Sequence, residues 1–560
     1  MKKIYKIIFL LILYSAFSIH NSFSQSQLVK QWDYSYGGDW HDYLTAFQRT
    51  ADGGYILGGF SSSDSSGDKT QNTFGYDDYW IVKTDAFGTK QWDKDYGGVG
   101  GNRLYSVNPT TDGGYIIGGW TTADSSGDKT EHTRDTSINQ FDQGDYWIVK
   151  IDSLGNKQWD KAFGGKRGDY LYCVKETFDG GYILGGYSCS DSSGDKSENN
   201  QDTSINYNKR DDYWIVKTDS SGQKEWDKTF GGARIDRLMS LQQTADEGFI
   251  LGGYSSSGIS GDKTQSSRGM EDYWIVKVDK LGNKQWDKRF GGNYNDELGS
   301  LYITVDGGLI LGGSSSSDSS GDKTQANCQS NIDYWIVKID AAGNFQFDNT
   351  YGGSLNETHF FQISQTPDGG YLLAGISSSD SSCEKTENDI ALEQSWVVKT
   401  DGSGNKIWDK TLRTNAVFYD VFTAFAVWSD DNCYTIANCT GSGIGWDKTQ
   451  DCKGGLDYWM IKFCDTSSTI GIPNLQSSIN NLQFSPNPLT TQSKLTFNNP
   501  NKEKFLFTLY DITGRVTERV NTTNNEIILT KGSKPAGVYM FNLGNEKTGE
   551  RWRGKIIITN

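Results

Sequence analysis

The chain has 560 residues and a formal net charge of −16, with 66 glycines, 18 tryptophans, seven prolines and eight cysteines. No block of Lys and Arg offsets the acidic balance, which argues against a nucleic-acid partner, because phosphate binding needs clustered basic side chains. No stretch approaches the roughly 20 apolar residues that cross a bilayer, so no transmembrane segment is expected in the mature chain.

Lys2 and Lys3 precede an apolar run from Ile7 to Phe17 and the small-residue pattern Ser22-Phe23-Ser24. That order reads as a signal peptide over 1–24, cleaved before Gln25. No cysteine follows the run within the first hundred residues, which argues against a lipoprotein anchor.

From residue 25 to 466 one pattern recurs. Its clearest marker is Asp78-Tyr79-Trp80-Ile81-Val82-Lys83, whose tryptophan returns at Trp147, Trp214, Trp274, Trp335, Trp396 and Trp459. A second marker is Trp-Asp-Lys at Trp92, Trp159, Trp226, Trp286 and Trp408, with Trp32 and Phe347 as variants, usually followed by Gly-Gly. A third is Asp52-Gly53-Gly54, seen again at Asp112, Asp179, Asp246, Asp306 and Asp368, with a degenerate copy at Asp430. Seven copies spaced by about 60 to 67 residues make a repeat architecture.

Each copy has the texture of four short strands rich in Tyr, Trp, Ile and Val. In the second copy these are Leu104 to Thr110, Tyr115 to Thr121, Tyr146 to Asp152 and Lys157 to Phe163. Asp-Gly and Leu-Gly-Asn form tight turns within the first and second strand pairs. The expected fold is all-β, a seven-bladed β-propeller. The chain starts with a fourth-strand sequence, Gln31 to Gly38, and its last copy stops after a third strand, Tyr458 to Phe463. The N-terminal strand is therefore expected to complete the last blade and close the ring, which removes exposed sheet edges.

Two tight turns and two long connections per copy put both long classes on one face, where ligand contacts are expected. Two of those loops, Glu131 to Asp145 and Glu198 to Asp212, are extended and share Asp-Thr-Ser-Ile-Asn. The second-to-third loops repeat Asp-Ser-Ser-Gly-Asp-Lys. Asp64 and Asp68, Asp124 and Asp128, Asp191 and Asp195, and Asp318 and Asp322 are candidate calcium ligands, because carboxylates so placed offer hard oxygens. The competing reading is turn capping, and calcium is the sole cofactor candidate.

His41, His132 and His359 sit at unrelated repeat positions, which argues against a histidine-based catalytic or zinc site. Inter-blade carboxylates Asp42, Asp169, Asp236, Asp296, Glu357 and Asp420 are plentiful, but their recurrence fits structural hydrogen bonding. The chain is therefore expected not to be an enzyme. Cys433 should oppose Cys464 across paired strands, with Cys439 and Cys452 bracketing the intervening loop, so either two disulfides staple the last blade or the four are free thiols. Cys173, Cys189, Cys328 and Cys383 have no partner that spacing assigns.

Composition changes near residue 467: five of seven prolines lie beyond it, but only Trp552 of the tryptophans. A Ser/Asn/Thr-rich linker over 467–482 leads to alternating strands over 483–560, a small β-sandwich. This segment resembles the type A C-terminal sorting domain of the type IX secretion system. The resemblance rests on Pro486-Asn487-Pro488, on Asp511 with Gly514-Arg515, on Gly537-Val538-Tyr539 and on Lys555. It implies a Gram-negative cell, export through the periplasm, and delivery to the outer-membrane exterior or the medium. It also implies the type IX machinery and its surface protease as partners. The leading functional expectation is a non-catalytic binding or adhesion module for glycan or protein. The alternatives are a carbohydrate-active hydrolase or lyase using inter-blade acids, and a purely structural surface-layer protein.

Overall fold

The computed structural model describes residues 28–136, 143–201, 211–329, 332–415, 423–429, 432–465, 483–485, 489–497, 499, 501–511, 516–532, 534–545, 547 and 551–559. The expected signal peptide over 1–24 and linker over 467–482 lie outside them. Among the described residues the chain is all-β with no helix. It divides into two compact units, Met1–Asp465 and Thr466–Asn560.

The first unit is a repeated four-stranded antiparallel sheet, consistent with a β-propeller. After β1 (Leu28–Tyr36), one sheet holds β2 (Asp42–Arg49), β3 (Tyr55–Ser61), β4 (Asp78–Thr84) and β5 (Lys90–Tyr96). The next holds β6 (Asn102–Pro109), β7 (Tyr115–Thr121), β8 (Asp145–Ile151) and β9 (Lys157–Phe163). Then come β10 (Asp169–Glu176), β11 (Tyr182–Ser188), β12 (Asp212–Thr218) and β13 (Lys224–Phe230). A fourth sheet is β14 (Asp236–Gln243), β15 (Phe249–Ser255), β16 (Asp272–Val278) and β17 (Lys284–Phe290). A fifth is β18 (Asp296–Ile303), β19 (Leu309–Ser315), β20 (Asp333–Ile339) and β21 (Phe345–Tyr351). A sixth is β22 (Phe360–Gln365), β23 (Tyr371–Ser377), β24 (Gln394–Thr400) and β25 (Lys406–Leu412). The last set, β26 (Phe425–Ser429), β27 (Cys433–Thr440) and β28 (Asp457–Asp465), pairs with β1, with Trp32 opposite Lys462 and Tyr36 opposite Tyr458.

The recurring motifs are explained by what they anchor. The third strands of the first six sheets are buried along their whole length, which is why they carry a continuous apolar run. All seven of their tryptophans are fully buried, and each indole N–H donates to the aspartate of a fourth strand. Trp80 reaches Asp93 at 3.2 Å and Trp147 reaches Asp160 at 3.1 Å. In the last sheet that aspartate comes from β1: Trp459 donates to Asp33 at 3.1 Å. The tyrosine before each tryptophan joins neighbouring sheets. Tyr79 lies 4.7 Å from the ring of Trp147 and donates to its carbonyl at 3.1 Å; Tyr458 does the same to Trp80, at 4.7 and 3.1 Å. Ser395 replaces this tyrosine in the sixth sheet. In six sheets the third-strand lysine turns back to the Asp-Gly turn, as Lys83 does to Asp52 at 2.8 Å.

In the second unit, β29 (Gln483–Ser485), β30 (Gln492–Thr496) and β33 (Glu526–Thr530) form one sheet. β31 (Phe505–Tyr510), β32 (Val516–Thr522), β34 (Gly537–Asn545) and β35 (Arg551–Ile558) form another. Leu495, Ile527 and Leu529 from the first sheet share one core with Phe507, Phe541 and Ile556 from the second. Gly537 and Tyr539 lie in β34, where the Tyr539 hydroxyl donates to the Pro535 carbonyl at 3.0 Å. Lys555 lies in β35 opposite Met540, and Asp511 follows β31. Pro486, Asn487, Pro488, Gly514 and Arg515 lie outside the described residues.

Cys433 and Cys464 sit opposite each other in register and are disulfide-bonded. Cys439 and Cys452 are thiols rather than a second bridge. The Cys452 thiol donates to the carbonyls of Thr440 and Ser442, at 2.9 and 3.1 Å, and Cys439 lies 3.6 Å from the Thr423 hydroxyl. A bridge that spacing did not assign joins Cys328 to Cys383.

Candidate functional site

A cavity of about 1010 Å³ is lined by the first strands of the repeated sheets, at the upper end of the usual size range for ligand pockets. Each first strand begins beside the long connections and ends at an Asp-Gly turn, so its first residues mark the mouth on the long-loop face.

The residues that recur at this mouth are committed to structure. Asp42, Asp169, Asp236, Asp296 and Glu357 are completely buried. Asp42 accepts from Gly38 N at 2.8 Å and from the Ser63 hydroxyl at 3.3 Å; Asp236 accepts from Gly232 N at 2.7 Å. Burial pushes Asp42, Asp236 and Asp296 up to about 6. Asp420 lies outside the described residues. The glycine pairs are required here because a second buried acid sits beneath them: a Cβ on Gly97 would lie 2.0 Å from the Asp78 carboxylate.

The Asp-Ser-Ser-Gly-Asp-Lys loops cap this ground plan. Asp68, Asp128, Asp195 and Asp322 accept from Gly37, Gly97, Gly164 and Gly291 N, at 3.2 to 3.3 Å. Asp195 is also paired with Arg134 at 3.1 Å, and Asp322 with Arg289 at 2.7 Å. Asp64 accepts from the Thr73 hydroxyl at 3.3 Å, and Asp124 faces His132 Nδ1 at 2.9 Å. Asp191 and Asp318 are exposed. The loop lysine is the cation of the arrangement. Lys69 is buried 2.5 Å from Asp95, and Lys448 donates to the Ser35 hydroxyl of β1 at 2.7 Å. Among the described residues no three His, Cys, Asp or Glu side chains cluster so as to hold a metal. Parts of the two extended loops, 137–142 and 202–210, lie outside the described residues.

The residue after each recurrent acid, or after Asn102 in the second sheet, is the one that varies: Tyr43, Arg103, Tyr170, Arg237, Glu297 and Thr358, of which Tyr43, Glu297 and Thr358 line the cavity. Opposite the first five in register stand Phe60, Trp120, Tyr187, Tyr254 and Ser314. Arg103 lies over Phe60 and Trp120, at 5.1 and 5.4 Å, and Arg237 lies over Tyr187 at 4.9 Å. Their carboxylate partners are Asp77 at 3.3 Å and Asp211 at 2.5 Å. At the next junction the same two positions hold Glu271 and Glu297. Burial, then the charge of Glu297 and a hydrogen bond to it, push Glu271 up to about 7. On one wall of the cavity His359 stacks on Phe361, two residues further along, with 6.1 Å between ring centres. Motif searching passed over this set because it is visible only as departures from the repeat at one register position.

No family model and no curated protein matches the chain. Among solved structures it is similar to PorZ, a bacterial surface component of the type IX secretion system of Porphyromonas gingivalis, with 8% identity over 97% of this chain and 88% of that one, and a TM-score of 0.16. It is similar to a gluconolactonase of Xanthomonas campestris at 10% identity over 62% and 97%, with a TM-score of 0.29. It is also similar to a Synechocystis apocarotenoid oxygenase at 11% identity over 91% and 98%, with a TM-score of 0.33. The expectation that the chain is not an enzyme is corrected by these neighbours, two of which are enzymes. The likeness is too remote to bring a particular activity, ligand or location with it. Among the described residues no helix is long and apolar enough to cross a membrane.

Proposed function

We propose that the first unit is a seven-bladed β-propeller, closed by β1 in the last blade, that binds a ligand at the long-loop mouth of its channel. The observation that carries this reading is where the repeat breaks. Anchoring residues recur around the unit, whereas the position after the recurrent acid varies, and Tyr43, Glu297 and Thr358 at that position line the cavity. A rigid scaffold with variable residues at one mouth is the arrangement expected of a recognition surface. The test is an array of glycans and matrix proteins probed with the full chain. A ligand whose binding is lost on changing Tyr43 or Glu297 supports the reading, and the absence of any ligand refutes it.

The second unit is proposed as a type IX sorting domain of β-sandwich form, acting on a chain that enters the periplasm by its signal peptide. Its partners would then be the secretion machinery and its surface protease, and its destination the cell surface or medium. Deleting 483–560 should leave the protein in the periplasm of a host with that system; undiminished surface delivery would refute the assignment. A second reading of the mouth draws on Glu271 and Glu297, which share a hydrogen bond there. A carboxyl pair of this kind suits acid–base work on a bound glycan. Release of reducing ends that is abolished by Glu297→Gln, with binding retained, would favour it.

A further inference from the structure

Lys69 and Asp95 make a contact that the repeat does not call for. Lys69 lies in the loop between β3 and β4, and Asp95 lies in β5; Nζ stands 2.5 Å from Oδ2, with 0% and 2% of the two side chains in solvent. At the position of Asp95 the other copies carry Ser35, Ala162, Thr229, Arg289, Thr350 and Thr411. Three of these settle their loop lysine with a hydroxyl: Lys196 donates to Thr229 at 2.5 Å, Lys323 to Thr350 at 2.9 Å and Lys448 to Ser35 at 2.7 Å. Although Lys69 is so close, neither Asp95 oxygen accepts an aligned hydrogen bond among the described residues. The carboxyl of buried Asp78, at the start of β4, stands against Asp95 and is itself held by Phe74 N at 2.5 Å and Asn102 Nδ2 at 2.9 Å. An amine and two carboxyls therefore meet in one enclosed site.

We propose that Lys69 and Asp95 condense into an amide, a covalent cross-link between the loop and the fourth strand of the first sheet. Burial pushes the Asp95 carboxyl well above the usual range; the Lys69 charge opposes this and the Asp78 charge adds to it, so Asp95 is the carboxyl that holds a proton. Burial raises Asp78 too, but Phe74 N, Asp95, Asn102 and Lys69 pull it back, which leaves it the base. Asp78 takes one proton from the Lys69 ammonium. The freed amine attacks Cγ of Asp95, the bond from Cγ to the hydroxyl breaks, and the hydroxyl leaves as water with the proton that Asp78 hands back. The second amine proton ends on Asp78, so one amide and one water form and nothing is oxidised or reduced. Fixed proximity replaces the activation that a free amine and acid would need, and enclosure favours the neutral reactants. The place of the link gives it a purpose. Asp68, next to Lys69, pairs with Lys453 of the last sheet and accepts from Gly37 N just after β1, so the cross-link fixes the loop that receives both ends of the unit. The sixth sheet is the natural comparison: Lys385 meets Asp389 with both side chains buried, but Gln394, which cannot carry the proton, stands where Asp78 does.

The experiment is mass spectrometry of the full chain after folding, denaturation and digestion with trypsin. The expected result is that trypsin does not cut after Lys69, and that residues 50–83 appear joined to residues 95–103 in a branched peptide one water lighter than its two arms. Cleavage after Lys385 should be normal. Asp95→Thr, which places there the residue type of Thr229 and Thr350, should restore cleavage after Lys69 in a chain that still melts cooperatively. Asp78→Asn keeps both reacting groups and should leave them unlinked. Complete cleavage after Lys69 in the parent, with residues 95–103 recovered as a separate peptide of unaltered mass, overturns the cross-link and leaves an ion pair. That digest decides the link whether or not either variant folds. A branched peptide that persists in Asp78→Asn, or a second one joining Lys385 to Asp389, overturns the part given to Asp78.

Discussion

Replacing Asp33 with alanine tests whether the first strand completes the last sheet. Its carboxylate accepts the Trp459 indole N–H at 3.1 Å and Thr449 N at 2.8 Å, and it pairs with Lys30 at 2.7 Å. Alanine leaves the buried Trp459 N–H without an acceptor, costing about 1 to 3 kcal/mol, while Lys30 and the exposed Thr449 can turn to solvent. The expected loss is about 1 to 3 kcal/mol. Asp160 is the internal standard. It accepts Trp147 at 3.1 Å and Thr130 N at 2.9 Å within one continuous stretch of chain, so Asp160→Ala should cost the same. Equilibrium unfolding in urea, followed by tryptophan fluorescence, reads both. A full loss for Asp160→Ala with no change for Asp33→Ala would refute the pairing of β1 with β28. Burial alone would raise the Asp33 carboxyl, but its bonds from Lys30, Thr449 and Trp459 outweigh that and hold it below the usual range. Its contribution is therefore present above the unfolded-state pKa and fades as the pH falls through the folded one.

The inter-blade acids act with the opposite sign. Burial raises Asp42, Asp236 and Asp296 to about 6, so the folded state holds more protons than the unfolded chain, and thermal stability should fall as pH rises from about 4 through 6. A melting temperature that climbs steadily across that window would contradict this. The Cys433–Cys464 bridge closes a separation of 31 residues, worth about 3 to 4 kcal/mol by loop entropy, so Cys433→Ser should lower the urea midpoint under non-reducing conditions. Glu247 has φ of 65° at the turn position where Gly53 and Gly113 have 84°. Glu247→Gly should stabilise by roughly 0.5 to 1 kcal/mol, and a loss would show that its exposed pairing with Lys280 matters more than backbone strain.

Much of the fold was legible because the repeat writes each structural decision several times over. The Trp-Ile-Val-Lys runs and Asp-Gly turns marked strands and hairpins, and the orphan fourth-strand sequence around Trp32 pointed to its place beside Tyr458. The anchoring roles were harder to read. Lys69 looked like part of a solvated acidic loop, yet it is the buried counter-ion of Asp95, which only the folding of the loop into the blade reveals. Cys328 and Cys383 lie in second-to-third loops of neighbouring sheets, so strand register could not pair them. The variable position at the cavity was hidden for a different reason: Tyr43 and Glu297 share no residue type, and their common position emerges only when the copies are aligned on the preceding Asp42 and Asp296.

Those two observations are connected. Each sheet is held by groups that cannot vary without leaving a buried partner unsatisfied: the indole and its aspartate, the third-strand lysine and its turn, the acids beneath the glycine pairs. The residue after each acid escapes that constraint because alternation along the strand turns it away from the sheet's own anchors. Its side chain meets only the residue across the strand pair and its neighbours in adjacent sheets, so Tyr, Arg and Glu are interchangeable there as far as folding is concerned. The same logic explains why the recurrent carboxylates are poor candidates for chemistry while Glu297 is a better one. The former are fully enclosed by backbone donors and serine hydroxyls, and the latter opens on the space a ligand would occupy.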